Sequence, residues 1–184
     1  MSDPLISRRA LLRNGALLGG GLYVGSQLPF PRAAPAAAAS TDPLVFTPAQ
    51  WALVEAMTAR LIPTDHEPGA REAGCVNFID KALANEEAAA RSLYESALPG
   101  VDAVAKAMHA KAFVALEPTD QDAVLGVLEE GTAKAWPEAA GPSPDFFETL
   151  RVHTVIGFLA DPKYGGNRDF AGWRVSGYPG PRHR

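Results

Sequence analysis

Apolar residues along most of this chain recur at three- and four-residue intervals, the spacing of one helix face. Thr47-Pro48-Ala49-Gln50 combines a Thr N-cap, Pro at the first helical position and Gln three residues after the cap, which together form a capping box. Trp51, Val54, Leu61 and Ile62 then mark an apolar face that ends at Pro63. Residues 64–74 are rich in turn formers and charge and read as a loop. A second helix is predicted from Cys75 to Ala84, with Val76, Ile79 and Leu83 on one side. Glu86 to Leu98 favours helix by its Ala and Glu content, Pro99-Gly100 punctuates it, and a further helix follows from Val101 to Ala115. Thr119 is the expected cap of the next helix, whose buried stripe is Val124, Leu125, Val127 and Leu128. After a loop over 139–142, Ser143-Pro144 repeats the cap-and-proline device ahead of Phe146, Phe147, Leu150, Val155, Phe158 and Leu159, and Pro162 stops the last helix. The pattern predicts an all-α fold, a small compact helical domain over residues 40–162.

From Lys163 the character changes. Five glycines and two prolines within 165–181 forbid a continuous helix and argue against an independent strand. Yet Tyr164, Phe170, Trp173 and Tyr178 stand among them, and disordered tails are poor in aromatic residues. Residues 163–184 are therefore expected to form an extended, irregular tail ordered against a surface. Tyr164, Arg168, Trp173, Arg174 and Tyr178 are the residue types that dominate protein interfaces, and Gly165, Gly166 and Asn167 allow sharp turns between them. The surface could belong to a partner chain or to the tail's own helices, and one segment can serve both.

The first 39 residues read as an export segment. Ser7-Arg8-Arg9-Ala10-Leu11-Leu12-Arg13 has the form of a twin-arginine signal, with Leu11 where Phe is usual. Asn14 to Gly25 is uncharged and Gly-rich, too short and too weakly apolar to span a bilayer stably. Ala37-Ala38-Ala39 offers a small-residue cleavage site, placing the mature start at Ser40. The twin-arginine route serves mainly proteins that fold, often around a cofactor, before crossing the membrane. The chain is thus expected to engage the Tat translocase and to reside in the periplasm.

Composition and motifs then limit the chemistry. The net charge is −4, and the leader carries four arginines against one aspartate, so the remainder is more acidic still and suits no nucleic acid. The single cysteine, Cys75, cannot form an internal disulfide. It reads first as a small buried residue at a helix start, with an intermolecular disulfide as the alternative. No Cys-x-x-Cys-His, no Gly-x-Gly-x-x-Gly after a strand, no Gly-x-Ser-x-Gly and no His-Glu-x-x-His is present. His153 lies in an apolar helix, where a core hydrogen bond is the favoured reading. His66, between Asp65 and Glu67, reads as part of a solvated loop. Glu129 and Glu130 read as a solvated helix face. No catalytic, cofactor-binding or metal-ligating residue is assigned.

The stretch Ala59-Arg60-Leu61-Ile62-Pro63-Thr64-Asp65, then Gly69 through Asp80, and the run Asp161-Pro162-Lys163-Tyr164-Gly165-Gly166-Asn167-Arg168-Asp169 with Gly172-Trp173 and Gly177-Tyr178-Pro179-Gly180, resemble the gluconate 2-dehydrogenase subunit 3 family. The family comprises small (gamma) subunits of membrane-associated, FAD-dependent sugar and sugar-acid dehydrogenases. The resemblance implies a subunit without a redox centre of its own. Its partners would be a flavoprotein of the glucose–methanol–choline (GMC) type and, usually, a multihaem cytochrome c carrying haem c. It further implies that the flavoprotein binds FAD in the cytoplasm and leaves on the small subunit's Tat signal, the complex then sitting peripheral to the inner membrane. Two other readings remain at this point: a self-sufficient exported oxidoreductase, and a ligand-binding helical domain.

Overall fold

A computed structural model of the chain describes residues 43–180, and the twin-arginine segment, including Ser7, Arg8, Arg9, Leu11 and Leu12, lies outside them. Seven α-helices and no strands are found among the described residues. They are α1 (Pro48–Leu61), α2 (Ala70–Ala73), α3 (Cys75–Ala84), α4 (Arg91–His109), α5 (Pro118–Glu129), α6 (Ser143–Leu159) and α7 (Ala171–Ser176). Helix α6 packs against each of the other six. Around it lies a main core that includes Val54, Met57, Ile79, Leu83, Leu98, Val101, Phe113, Leu128, Phe146 and Leu150. A smaller apolar cluster of Ile62, Ala70, Ala73, Cys75, Phe158 and Ala171 lies on α6 beneath the C-terminal segment.

The capping box at Thr47–Gln50 forms as the sequence dictates, with the Gln50 amide donating to the Thr47 hydroxyl and the Thr47 amide to Gln50 Oε1. Elsewhere tertiary contacts override local expectation. Residues 64–74 are not all loop: α2 forms because Glu72 Oε2 accepts from Gly69 N and from the Thr64 hydroxyl. Pro99-Gly100 does not divide a helix, and α4 runs through it from Arg91 to His109. Proline there deletes one backbone hydrogen bond, and packing compensates. Pro137 and Trp136 press so closely on Gly100 that a Cβ would come within 2.5 Å of Pro137 Cδ. Helix α5 starts at Pro118, so Thr119 lies inside its first turn instead of capping it. The Ser143 hydroxyl does not cap α6 either; it donates to Leu128 O at 2.9 Å and ties α6 to the end of α5. Helices α1 and α5 are joined by Arg60, whose Nε and Nη2 each lie 2.7 Å from the Asp122 carboxylate.

Candidate functional site

The residues predicted to form a partner-binding tail are not extended. Residues Pro162–Tyr164 and Arg168–Phe170 form single 3-10 turns, and α7 follows at once. The segment folds back on α6 because the end of that helix supplies unpaired carbonyls, as every helix C-terminus does. Asn167 N donates to Gly157 O at 2.7 Å, Asn167 Nδ2 to Ala160 O at 2.8 Å, and Trp173 Nε1 to Leu159 O at 2.7 Å. Gly172 N closes the loop by donating to Asn167 Oδ1 at 2.8 Å. The Tyr-Gly-Gly-Asn…Gly-Trp pattern is therefore a C-cap built by the stretch of chain that follows the helix.

Two glycines are there for approach. A Cβ on Gly166 would fall 2.1 Å from Gly157 O, and one on Gly172 would fall 1.7 Å from Phe158 O. No side chain fits between these backbones. From the other side, Asn77 Nδ2 on α3 donates to Gly165 O at 2.6 Å, fixing the turn at Gly165. Asn167, Asp169 and Phe170 all have positive φ, at 45°, 55° and 57°. Asn and Asp tolerate this region, whereas a bulky Phe does so at a cost.

The predicted interface residues thus separate into two sets. Gly166, Asn167 and Trp173 are buried and serve the fold. Tyr164, Arg168, Arg174 and Tyr178 face outward, Gly165 is half-buried between the sets, and Phe170, which is not among the predicted residues, is exposed beside them. Trp173 links the sets, with its ring centroid 5.1 Å from that of Phe170 and 5.1 Å from that of Tyr178, the latter edge to face. The Arg174 guanidinium donates to Asp169 O, and Arg168 lies against the turn at Gly74 between α2 and α3. The result is an aromatic patch flanked by two guanidinium groups and held by α6, which is chemistry for protein contact.

Cys75 is fully buried, and burial pushes its thiol up well above the usual range. It acts as a small core residue in the cluster under the tail; a bridge to another chain would require the sulfur to leave that cluster. His66 is exposed, with Nδ1 3.4 Å from Asp65 Oδ1. Among the described residues no three His, Cys, Asp or Glu side chains gather where they could share a metal ion. The dinucleotide cradle of a strand, a Gly-rich turn and a helix is likewise not among these all-helical residues.

Two polar groups in the core escaped sequence reasoning in part. His153 Nδ1 lies 3.0 Å from the buried Tyr94 hydroxyl, the core hydrogen bond its apolar setting suggested, but its partner lies 59 positions away. Asp80 is buried and accepts from three consecutive backbone amides, Leu44 at 2.6 Å, Val45 at 2.9 Å and Phe46 at 2.9 Å. It straps the start of the described chain onto α3. The only sequence trace of this role is a carboxylate next to Ile79 on an otherwise apolar face.

The gluconate 2-dehydrogenase subunit 3 family matches residues 48–180, from the first turn of α1 to the end of the aromatic patch. The chain belongs to this family. As a subunit of a gluconate dehydrogenase complex it implies a catalytic partner. Comparison with curated proteins found no match, and comparison with solved structures found none either. The family match includes both the cap that orders the C-terminal segment and the residues that this cap turns outward.

Proposed function

We propose that this subunit 3 protein is the non-catalytic small subunit of a periplasmic, FAD-dependent sugar or sugar-acid dehydrogenase. It carries a GMC-type flavoprotein through the Tat translocase and remains its structural partner afterwards. The observation that carries the reading is the family match over residues 48–180. The arginine pair at Arg8-Arg9 supports it, because a chain with no dinucleotide motif gains little from folding before export unless it travels with one that has. FAD belongs to the partner, haem c to a cytochrome c subunit where one is present, and the complex lies peripheral to the inner membrane. On the small subunit, the outward residues Tyr164, Arg168, Arg174 and Tyr178 contribute to the flavoprotein contact.

Co-expression with a GMC-type flavoprotein of the same source tests the reading. With the native chain, FAD and dye-linked sugar oxidation are expected in the periplasmic fraction. Replacing Arg8 and Arg9 with Lys should leave both proteins in the cytoplasm. A flavoprotein that folds, crosses the membrane and turns over without this chain would refute the proposal.

A further inference from the structure

A second surface stands apart from the aromatic patch and shares only Tyr164 with its outward residues. Between α3, α6 and the strapped residues at the start of the described chain lies an open cleft of about 620 Å³. Phe78 and Ala82 of α3 and Ile156 and Ala160 of α6 line it, with Leu44 and Tyr164 also contributing. Leu44 is 61% exposed, Ile156 43% and Tyr164 48%, and the exposed Val152 stands one turn before Ile156 on α6. Half of the large exposed apolar side chains among the described residues therefore gather at or beside this one cleft. Apolar surface concentrated in this way marks an interaction site.

The cleft also contains a directed polar group. His153 lines it while only 5% exposed. Its Nδ1 is 3.0 Å from the Tyr94 hydroxyl, for which no other partner is found among the described residues. Burial keeps that phenol protonated, and a buried hydroxyl with one neighbour donates to it, since accepting would orphan its own hydrogen. Nδ1 is therefore the acceptor, which puts the ring hydrogen on Nε2. Nε2–H has no partner among the described residues and, unlike Nε2 of His109, is not sealed off. It opens on the cleft that the ring lines, as a donor waiting for an acceptor.

Charge narrows the occupant. Lys81 and Lys163 line the cleft, neither in an ion pair among the described residues, and the exposed Glu86 and Glu87 line it too, so the formal charges balance and it is their placement that selects an occupant. Lys163 Nζ sits 4.9 Å above the Tyr164 ring, and Lys81 packs beside Gly165, so both ammonium groups stand at the Tyr164 end. An occupant with an apolar body, a main-chain carbonyl and, at the Tyr164 end, a carboxylate would match the apolar walls, His153 and the two lysines, while Asn85, Glu86 and Glu87 stay exposed to solvent.

We propose that this cleft is the socket for a short apolar segment of the catalytic partner, seated with a backbone carbonyl on His153 Nε2 and an acidic side chain between Lys81 and Lys163. The inference rests on the reading of this chain as the bound companion of a catalytic flavoprotein. It adds a docking point separate from the aromatic patch.

The test uses the co-expressed complex and three variants of the small subunit. Ile156→Glu places a charge on an exposed wall position and should weaken the complex at least about tenfold. Met108→Glu, at a residue 41% exposed that does not line the cleft, should leave affinity within about twofold. The pair Lys81→Glu with Lys163→Glu should weaken the complex too, and reversing the partner's acidic residue to Lys should restore it. A photo-crosslinking side chain at position 156 should capture the partner at a segment that is apolar and carries that acid. The socket is overturned if the Ile156→Glu complex keeps native affinity, or if position 156 cross-links only to a second copy of this chain. It is also overturned if native mass spectrometry of the isolated subunit shows a small molecule there that Ile156→Glu removes. Failure of the native pair to associate at all would instead sink the companion reading, and the socket with it.

Discussion

Replacing Asn167 with Ala should remove the cap that holds the C-terminal segment on α6. Two side-chain hydrogen bonds go, Nδ2 to Ala160 O and Oδ1 from Gly172 N, both 2.8 Å long. The Gly172 amide is buried and would be left without an acceptor, which costs about 2 kcal/mol, while the half-exposed Ala160 carbonyl recovers water and costs about 1 kcal/mol. Asn167 is also left-handed, at φ 45° and ψ 38°, and Ala in that region adds about 1 kcal/mol. The total is about 4 kcal/mol, or roughly 10–15 °C in melting temperature for a domain of this size. Urea unfolding followed by circular dichroism measures it, with the slope checked so that the comparison stays two-state. Asn167→Gly separates the terms: it loses both bonds without the left-handed penalty and should be about 1 kcal/mol more stable than Asn167→Ala. A loss below about 1 kcal/mol for Asn167→Ala, or native stability for Asn167→Gly, would show that the cap does not hold the segment as described.

Asp80→Ala removes the acceptor for three backbone amides at once, so stability should fall by about 3 kcal/mol, and amide exchange at Leu44, Val45 and Phe46 should lose its protection. His153 gives a pH dependence. Burial lowers its pKa, Glu87 opposes the shift more weakly, and the native ring stays neutral at pH values where the unfolded one, with its ordinary value near 6.5, takes up a proton. Stability from this group is complete above about pH 6.5 and is lost as the pH falls below it; denaturation midpoints between pH 8 and pH 5 should show the loss, and His153→Phe should lack that step.

The sequence by itself determined the helical class, because periodicity and caps are local properties. The capping box at Thr47, the bounds Cys75–Ala84 and the buried positions Phe146, Leu150 and Phe158 could all be read from spacing. Family membership was legible for a related reason: the Tyr-Gly-Gly-Asn…Gly-Trp pattern survives as a string of residues. Its meaning was not. Glycine and tryptophan in a tail suit a mobile arm, a partner contact or a close packing against the tail's own fold, and local sequence does not distinguish these. Only the tertiary structure set Gly166 and Gly172 against α6 carbonyls and left Tyr164, Arg174 and Tyr178 outside. Pro99 within α4, the Asp80 strap and the Tyr94–His153 pair were decided in the same way. Each joins groups distant in sequence, and a breaker or a buried polar side chain is tolerated only where such a distant group compensates it.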